Sequence, residues 1–159
     1  MRPPDAAAGK RNSKGFTLVE LVTVIVIIGA LAAYATPRWA PDDTTVAAQA
    51  DRLARDLRHT QALAMNQART LSFDVVSASS YRAADSGVTV TDPATQENFL
   101  INLDNGVTLA GTDTDFDSLG RPTSGGVLLA APRVFSVSGN SRTATITVSP
   151  VTGYVAVSL

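Results

Sequence analysis

The sequence predicts an α+β chain, a long N-terminal helix followed by an antiparallel β-sheet domain. Three observations carry that expectation. Residues 16–35 form an apolar run of twenty with a single charge, Glu20. From Val46 onward, apolar residues recur at three- and four-residue steps, the period of a helix with one buried face. Beyond Leu71 the texture changes to short β-prone runs broken by turn residues.

Residues 1–15 read as a short disordered leader. It carries Arg2, Lys10, Arg11 and Lys14 against Asp5 alone. Basic residues beside an apolar span stay on the cytoplasmic side, so the bulk of the chain is expected to face outward. The run that follows, residues 16–36, is long enough for a transmembrane helix, since twenty residues rise roughly 30 Å. A cleaved secretory signal fits less well. The small-residue positions around Ala30 to Thr36 follow a core that is too long and contains an acid. Glu20 admits two readings. A carboxylate in hydrocarbon costs roughly 2.5–3.5 kcal/mol and is usually functional and partnered. Alternatively it lies close enough to the interface, and to the positive end of the helix, to be tolerated there. Gly29 and the nearby alanines either let other helices approach closely or are ordinary members of a span.

Thr36 to Asp43 marks the exit from that span. Pro37 and Pro41, four apart, are expected to bend or interrupt the helix. Tyr34 and Trp39 suit a membrane interface, and Asp42 or Asp43 suits the start of a second helix. Residues 37–70 then form the amphipathic half. Val46, Ala50, Leu53, Leu57, Ala64, Ala68 and Leu71 recur on one face, while Asp51, Arg52, Arg55, Asp56 and Arg58 fall mostly on the other. His59, the sole histidine, reads as a surface polar residue of this helix rather than as a ligand or base.

Residues 71–159 form the β domain. Strands are expected at Leu71–Val76, Val88–Val90, Phe99–Leu103, Val107–Ala110, Val127–Ala130, Val134–Val137, Thr143–Val148 and Tyr154–Ser158. Asp104-Asn105-Gly106 predicts a hairpin turn between the third and fourth of these. Ser149-Pro150-Val151-Thr152-Gly153 predicts a chain reversal. Thr143, Thr145 and Thr147 alternate with Ala144, Ile146 and Val148, the period of a strand with one face on a core.

Composition excludes several classes of function. The chain has 159 residues and a net charge of −1. Loss of residues 1–15 would remove four of 13 basic and one of 14 acidic residues, leaving −4 and no lysine. A mildly acidic body with scattered arginines argues against a nucleic-acid surface. Without cysteine there is no disulfide, thiolate metal site or cysteine nucleophile. The aspartates of residues 113–117 alternate like the opening of a calcium loop. Ser118 then stands where that loop needs glycine, and Ser124 where it needs glutamate, so an acidic surface loop is the reading. No catalytic grouping and no cofactor is expected.

The octapeptide Lys14-Gly15-Phe16-Thr17-Leu18-Val19-Glu20-Leu21 resembles the processing site of type IV pilins and type II secretion pseudopilins. The resemblance implies cleavage between Gly15 and Phe16 by a prepilin peptidase, methylation of the Phe16 amine, and a mature chain of 144 residues. It implies that Glu20 pairs with the N-terminal amine of a neighbouring subunit, and that Pro37 is the helix-bending proline. A carboxylate and an ammonium, each costly when buried alone, cost far less together, so such a pair fixes axial register. The segments Phe116–Pro122 and Ile146–Gly153 resemble the GspH/FimT group of minor pseudopilins and pilins, which implies a sandwich-like β domain. Leu21–Gly29 with Thr36–Trp39 looks most like minor pilins of mannose-sensitive haemagglutinin-type pili. Implied partners are other pilin subunits, the peptidase and an inner-membrane assembly platform. Implied location is the inner membrane with the C-terminal domain in the periplasm, then a filament. FimT-type pilins that bind DNA do so through Gly-Arg-x-Arg, and the matching Gly153-Tyr154-Val155-Ala156 lacks both arginines. The function expected is a structural minor pilin that initiates or caps a type IV pilus. The alternatives are a type II secretion pseudopilus subunit, a tip adhesin or DNA receptor, and an uncleaved signal-anchored domain outside any filament.

Overall fold

A computed structural model describes residues 17–34, 41–104 and 106–159. The chain divides into two compact units, residues 1–38 and 39–159. The first contains helix α1, Leu18–Tyr34, seventeen residues or about 25 Å long. Among the described residues no helix is long and apolar enough to cross a membrane. Gly15, Phe16 and Pro37 lie outside the described residues.

The second unit opens with helix α2, Pro41–Asn66. Proline occupies its first position, where the missing N–H has no intrahelical partner to lose. Val46, Ala50, Leu53, Leu57 and Ala64 are buried, as their spacing predicts. Ala68 is not on that face, because the helix has already stopped. Ala68 adopts a left-handed backbone with φ of 50°. Its N–H meets Met65 O at 3.3 Å, and the Arg69 N–H reaches Ala64 O at 3.1 Å. This is a Schellman cap with alanine in glycine's usual place. The chain then turns directly into the first strand, four residues short of where the periodicity places the helix end.

Eleven strands follow among the described residues, all pairing antiparallel. They are β1 Leu71–Ser77, β2 Ser80–Asp85, β3 Val88–Thr89, β4 Leu100–Asn102, β5 Thr108–Ala110 and β6 Thr114–Phe116. After these come β7 Pro122–Ser124, β8 Val127–Leu128, β9 Arg133–Ser138, β10 Thr143–Val148 and β11 Val155–Ser158. The first sheet runs β3-β2-β1-β6-β7-β8, with β4 also on β2, and the second runs β11-β10-β9-β5. Both sheets and α2 share one core, centred on Leu53, Leu57, Phe73, Tyr81, Phe116, Phe135 and Ile146. Phe73 stacks on Tyr81 at 5.0 Å and meets Phe135 of the other sheet edge-on at 5.7 Å. The α+β class and the alternation in β10 are as the sequence predicts.

The expected hairpin at residues 104–106 does not form. β4 pairs with β2 in the first sheet and β5 pairs with β9 in the second, so the segment between them crosses from sheet to sheet. Asn105 itself is outside the described residues. The reason lies on either side of the turn. Leu103 and Val107 are both buried, and the Leu103 and Leu109 amides donate to Ser79 O and Ala78 O of the β1–β2 turn. Those longer-range partners outweigh the local turn preference. Strands β2, β6 and β7 have no counterpart among the expected runs. β2 reads Ser-Tyr-Arg-Ala-Ala-Asp without alternation, β6 hides in the aspartate run, and β7 starts on proline.

Candidate assembly site

Helix α1 is built as a surface rather than as part of a core. Thr17 begins it. The Thr17 hydroxyl accepts the Glu20 N–H at 3.2 Å, and the Leu21 N–H reaches Thr17 O at 3.1 Å. Thr-x-x-Glu is capping-box spacing, so Glu20 sits in the first turn, at the positive end of the helix dipole. The Thr23 hydroxyl bonds back to Val19 O at 2.8 Å and so satisfies itself within the helix. The remaining side chains from Leu18 to Ile28 are apolar and all are exposed. A helix apolar on every side requires burial by something beyond its own fold. At Gly29 an added Cβ would meet no atom within 4 Å, which leaves the backbone open to close approach.

In the β domain the structure brings together the two segments that carry the GspH/FimT resemblance. Phe116–Pro122 spans the β6–β7 turn of the first sheet. There Asp117 accepts the Leu119 and Arg121 amides, each at 2.9 Å, and pairs with the Arg121 guanidinium at 2.8 Å. Burial alone would raise the Asp117 carboxyl, and these bonds from Arg121 and Leu119 outweigh it and hold the carboxyl below its ordinary value. Ile146–Gly153 covers the end of β10 and the turn after it in the second sheet, where the Gly153 N–H closes on Ser149 O at 3.0 Å. The two turns meet at Gln61 of α2. Its Nε2 donates to Gly120 O at 2.7 Å and to Thr152 O at 3.1 Å. Both glycines have positive φ, and neither has room for a side chain. A Cβ on Gly120 would lie 2.6 Å from Met65 Sδ, and one on Gly153 would strike the Gln61 amide. Gln61 escapes sequence reasoning, because a polar residue on the flank of an amphipathic helix carries no periodic signal.

The other polar residues hold the domain together locally. The buried Tyr81 hydroxyl donates to Asp56 Oδ2 at 2.6 Å across the α2–β2 interface. Desolvation raises both groups above their ordinary values, with the hydrogen bond from Tyr81 opposing the rise at Asp56. His59 hydrogen-bonds Asp92 at 3.3 Å and packs on Phe99, beside a cavity of about 240 Å³. Asp113 accepts the Val75 amide at 2.8 Å, Asp115 the Gly125 amide at 3.3 Å, and Asp117 the turn just described. Each aspartate of the 113–117 run thus has a separate backbone partner. Among the described residues no three acidic or histidine side chains converge in metal-binding geometry. Arg133 and Arg142 stand at opposite ends of the β9–β10 hairpin, about 20 Å of strand apart, and Arg121 is engaged by Asp117. These arginines do not form one cationic patch.

An apolar capped helix carrying one acid is thus joined in sequence to a helix-backed antiparallel domain, the α+β architecture of pilin-like proteins. The comparisons with known proteins narrow that class. Residues 10–36 match the prokaryotic N-terminal methylation motif. The chain is 37% identical over 102 residues to the type IV narrow pilus major component PilA5 of Thermus thermophilus, covering 57% of this chain and 88% of that protein. The fold resembles the type IV minor pilin FimU of Pseudomonas aeruginosa in its P21 crystal form. The TM-score is 0.56 at 12% identity, over 74% of this chain and 91% of the other. A second crystal form of FimU aligns with a TM-score of 0.50 at 14% identity, over 69% and 90%. The chain belongs to the type IV pilin family. Its relatives are structural subunits and not enzymes.

Proposed function

We propose that this chain is a minor subunit of a type IV pilus that helps to initiate or cap the filament. A prepilin peptidase cuts between Gly15 and Phe16 on the cytoplasmic side and methylates the Phe16 amine. Residues 16–36 then hold the subunit in the inner membrane, with the β domain in the periplasm, until an assembly platform transfers it to the growing filament. Glu20 pairs with the N-terminal amine of a neighbouring subunit and sets the register. One observation carries this reading: the methylation motif over residues 10–36 lies in frame with a capped, wholly apolar helix whose one acid is in the first turn. The two GspH/FimT-like turns joined at Gln61 support the minor role. Intact mass of the protein from its own cells tests the processing. The expected species starts at N-methylated Phe16. Retention of residues 1–15 beside an active prepilin peptidase would sink the proposal.

A major-subunit reading is favoured by one observation, the similarity to a relative named as a major pilus component. Abundance separates the two. Quantitative mass spectrometry of sheared filaments is expected to find this chain far below the most abundant pilin. Near-equal or greater amounts would make it the major subunit.

A further inference from the structure

The two sheets present unlike outer faces. On the first, Asp74, Arg82 and Asp115 alternate with buried neighbours, and Asp74 and Arg82 pair at 3.0 Å. On the second, the outward row of β10 is Thr143, Thr145 and Thr147. Register sets Val134 and Ser136 of β9 beside it on one side and Ala156 and Ser158 of β11 on the other. None of these positions is charged. The Ser149 amide donates to Tyr154 O at 2.8 Å, which carries the ladder one step beyond Val148–Val155. Alternation then puts Tyr154 on the same face, 66% exposed, on the β11 side of β10, with Val134, 50% exposed, on the β9 side. Charge depletion with an exposed tyrosine marks the centre of a protein interface, and tyrosine with serine is the composition of adaptable binding surfaces.

Size and charge together select what covers it. Three strands about 4.8 Å apart and about five residues long give roughly 240 Å². A stable two-protein interface takes about 800 Å² from each partner. This face is therefore too small to hold a partner from free solution, and large enough to matter for one already tethered alongside. Because the carboxylates lie elsewhere, another acidic subunit can approach here without facing like charge. We infer that the outer face of β9, β10 and β11 packs against the globular domain of a neighbouring pilin subunit, on a surface equally poor in charge. This rests on the filament reading above and adds the surface used.

The full chain in its own cells provides the test. A photo-crosslinking benzoylphenylalanine replaces Thr145, or Asp74 as the control, and sheared filaments are analysed by mass spectrometry. The Thr145 probe is expected to trap a pilin subunit at least tenfold more often than the Asp74 probe. Thr145→Arg is expected to lower filament incorporation at least tenfold while leader removal and cell-associated protein level stay unchanged. Equal trapping at the two positions, capture of glycan alone, or normal incorporation of Thr145→Arg would overturn the inference. The crosslink inserts no charge, so it decides even if Thr145→Arg fails to fold. Absence of the unmodified chain from every filament would instead bring down the filament reading itself, and this inference with it.

Discussion

Gln61 shows how one side chain ties distant parts of a small domain together. Its amide nitrogen serves two carbonyls, Gly120 O and Thr152 O, one from each sheet's turn. Gln61→Ala leaves both acceptors without this donor, and the expected loss is about 1–3 kcal/mol. The denaturant midpoint of the detergent-solubilised full chain should fall, while leader removal is unaffected. Asp56 yields a pH prediction of definite sign. Burial raises its carboxyl above the ordinary 3.8, and the opposing bond from Tyr81 does not reverse that. The folded chain therefore holds this proton more tightly than the unfolded chain. Asp56 thus stabilises the fold below the unfolded value, and that contribution is lost as pH rises through the folded one. Asp56→Asn keeps an acceptor for Tyr81 without the buried charge. It should flatten the fall in stability as pH rises above the ordinary carboxylate range and give a higher midpoint at neutrality.

At the scale of elements, the end of α2 is a place where the sequence misleads. Ala68 continues the apolar period of the helix, yet it occupies the left-handed position of the cap, where a side chain costs roughly 1–2 kcal/mol. Ala68→Gly should stabilise the domain by about 1 kcal/mol, read as a higher denaturant midpoint at unchanged slope. A lower midpoint would show that the cap geometry is not as described. The same lesson applies to residues 103–109. The turn chemistry there is genuine, but a hairpin signal reports only that the chain can reverse. Where the flanking strands go depends on which sheet edges and core sites are open to Leu103 and Val107.

At the scale of the whole molecule, the two units pose different physical problems. The β domain closes its own core around Phe73, Tyr81 and Phe135. Helix α1 leaves its apolar side chains from Leu18 to Ile28 exposed and requires partners. Glu20 is the only charged residue on it, and the assembly role proposed for it has a direct test. Glu20→Ala should leave cleavage after Gly15 intact and stop incorporation into filaments, measured by immunoblot of membrane and sheared fractions. Normal incorporation of that variant would remove Glu20 from the assembly mechanism.

The sequence by itself determined what depends on neighbours along the chain. The apolar helix, the inward face of α2 and the alternation of β10 all follow from periods of 3.6 or 2, so the residues alone make them legible. The resemblance at residues 14–21 likewise needs only a contiguous motif. Tertiary structure alone decided what depends on partners far away in sequence. It drew Ser80–Asp85 into the middle of a sheet, sent β4 and β5 to different sheets, and stopped α2 on an alanine. It also set an uncharged face against a charged one, and joined two turns through Gln61. Such features rest on which buried donors, acceptors and apolar surfaces remain to be satisfied once the chain has collapsed. No local period records that competition.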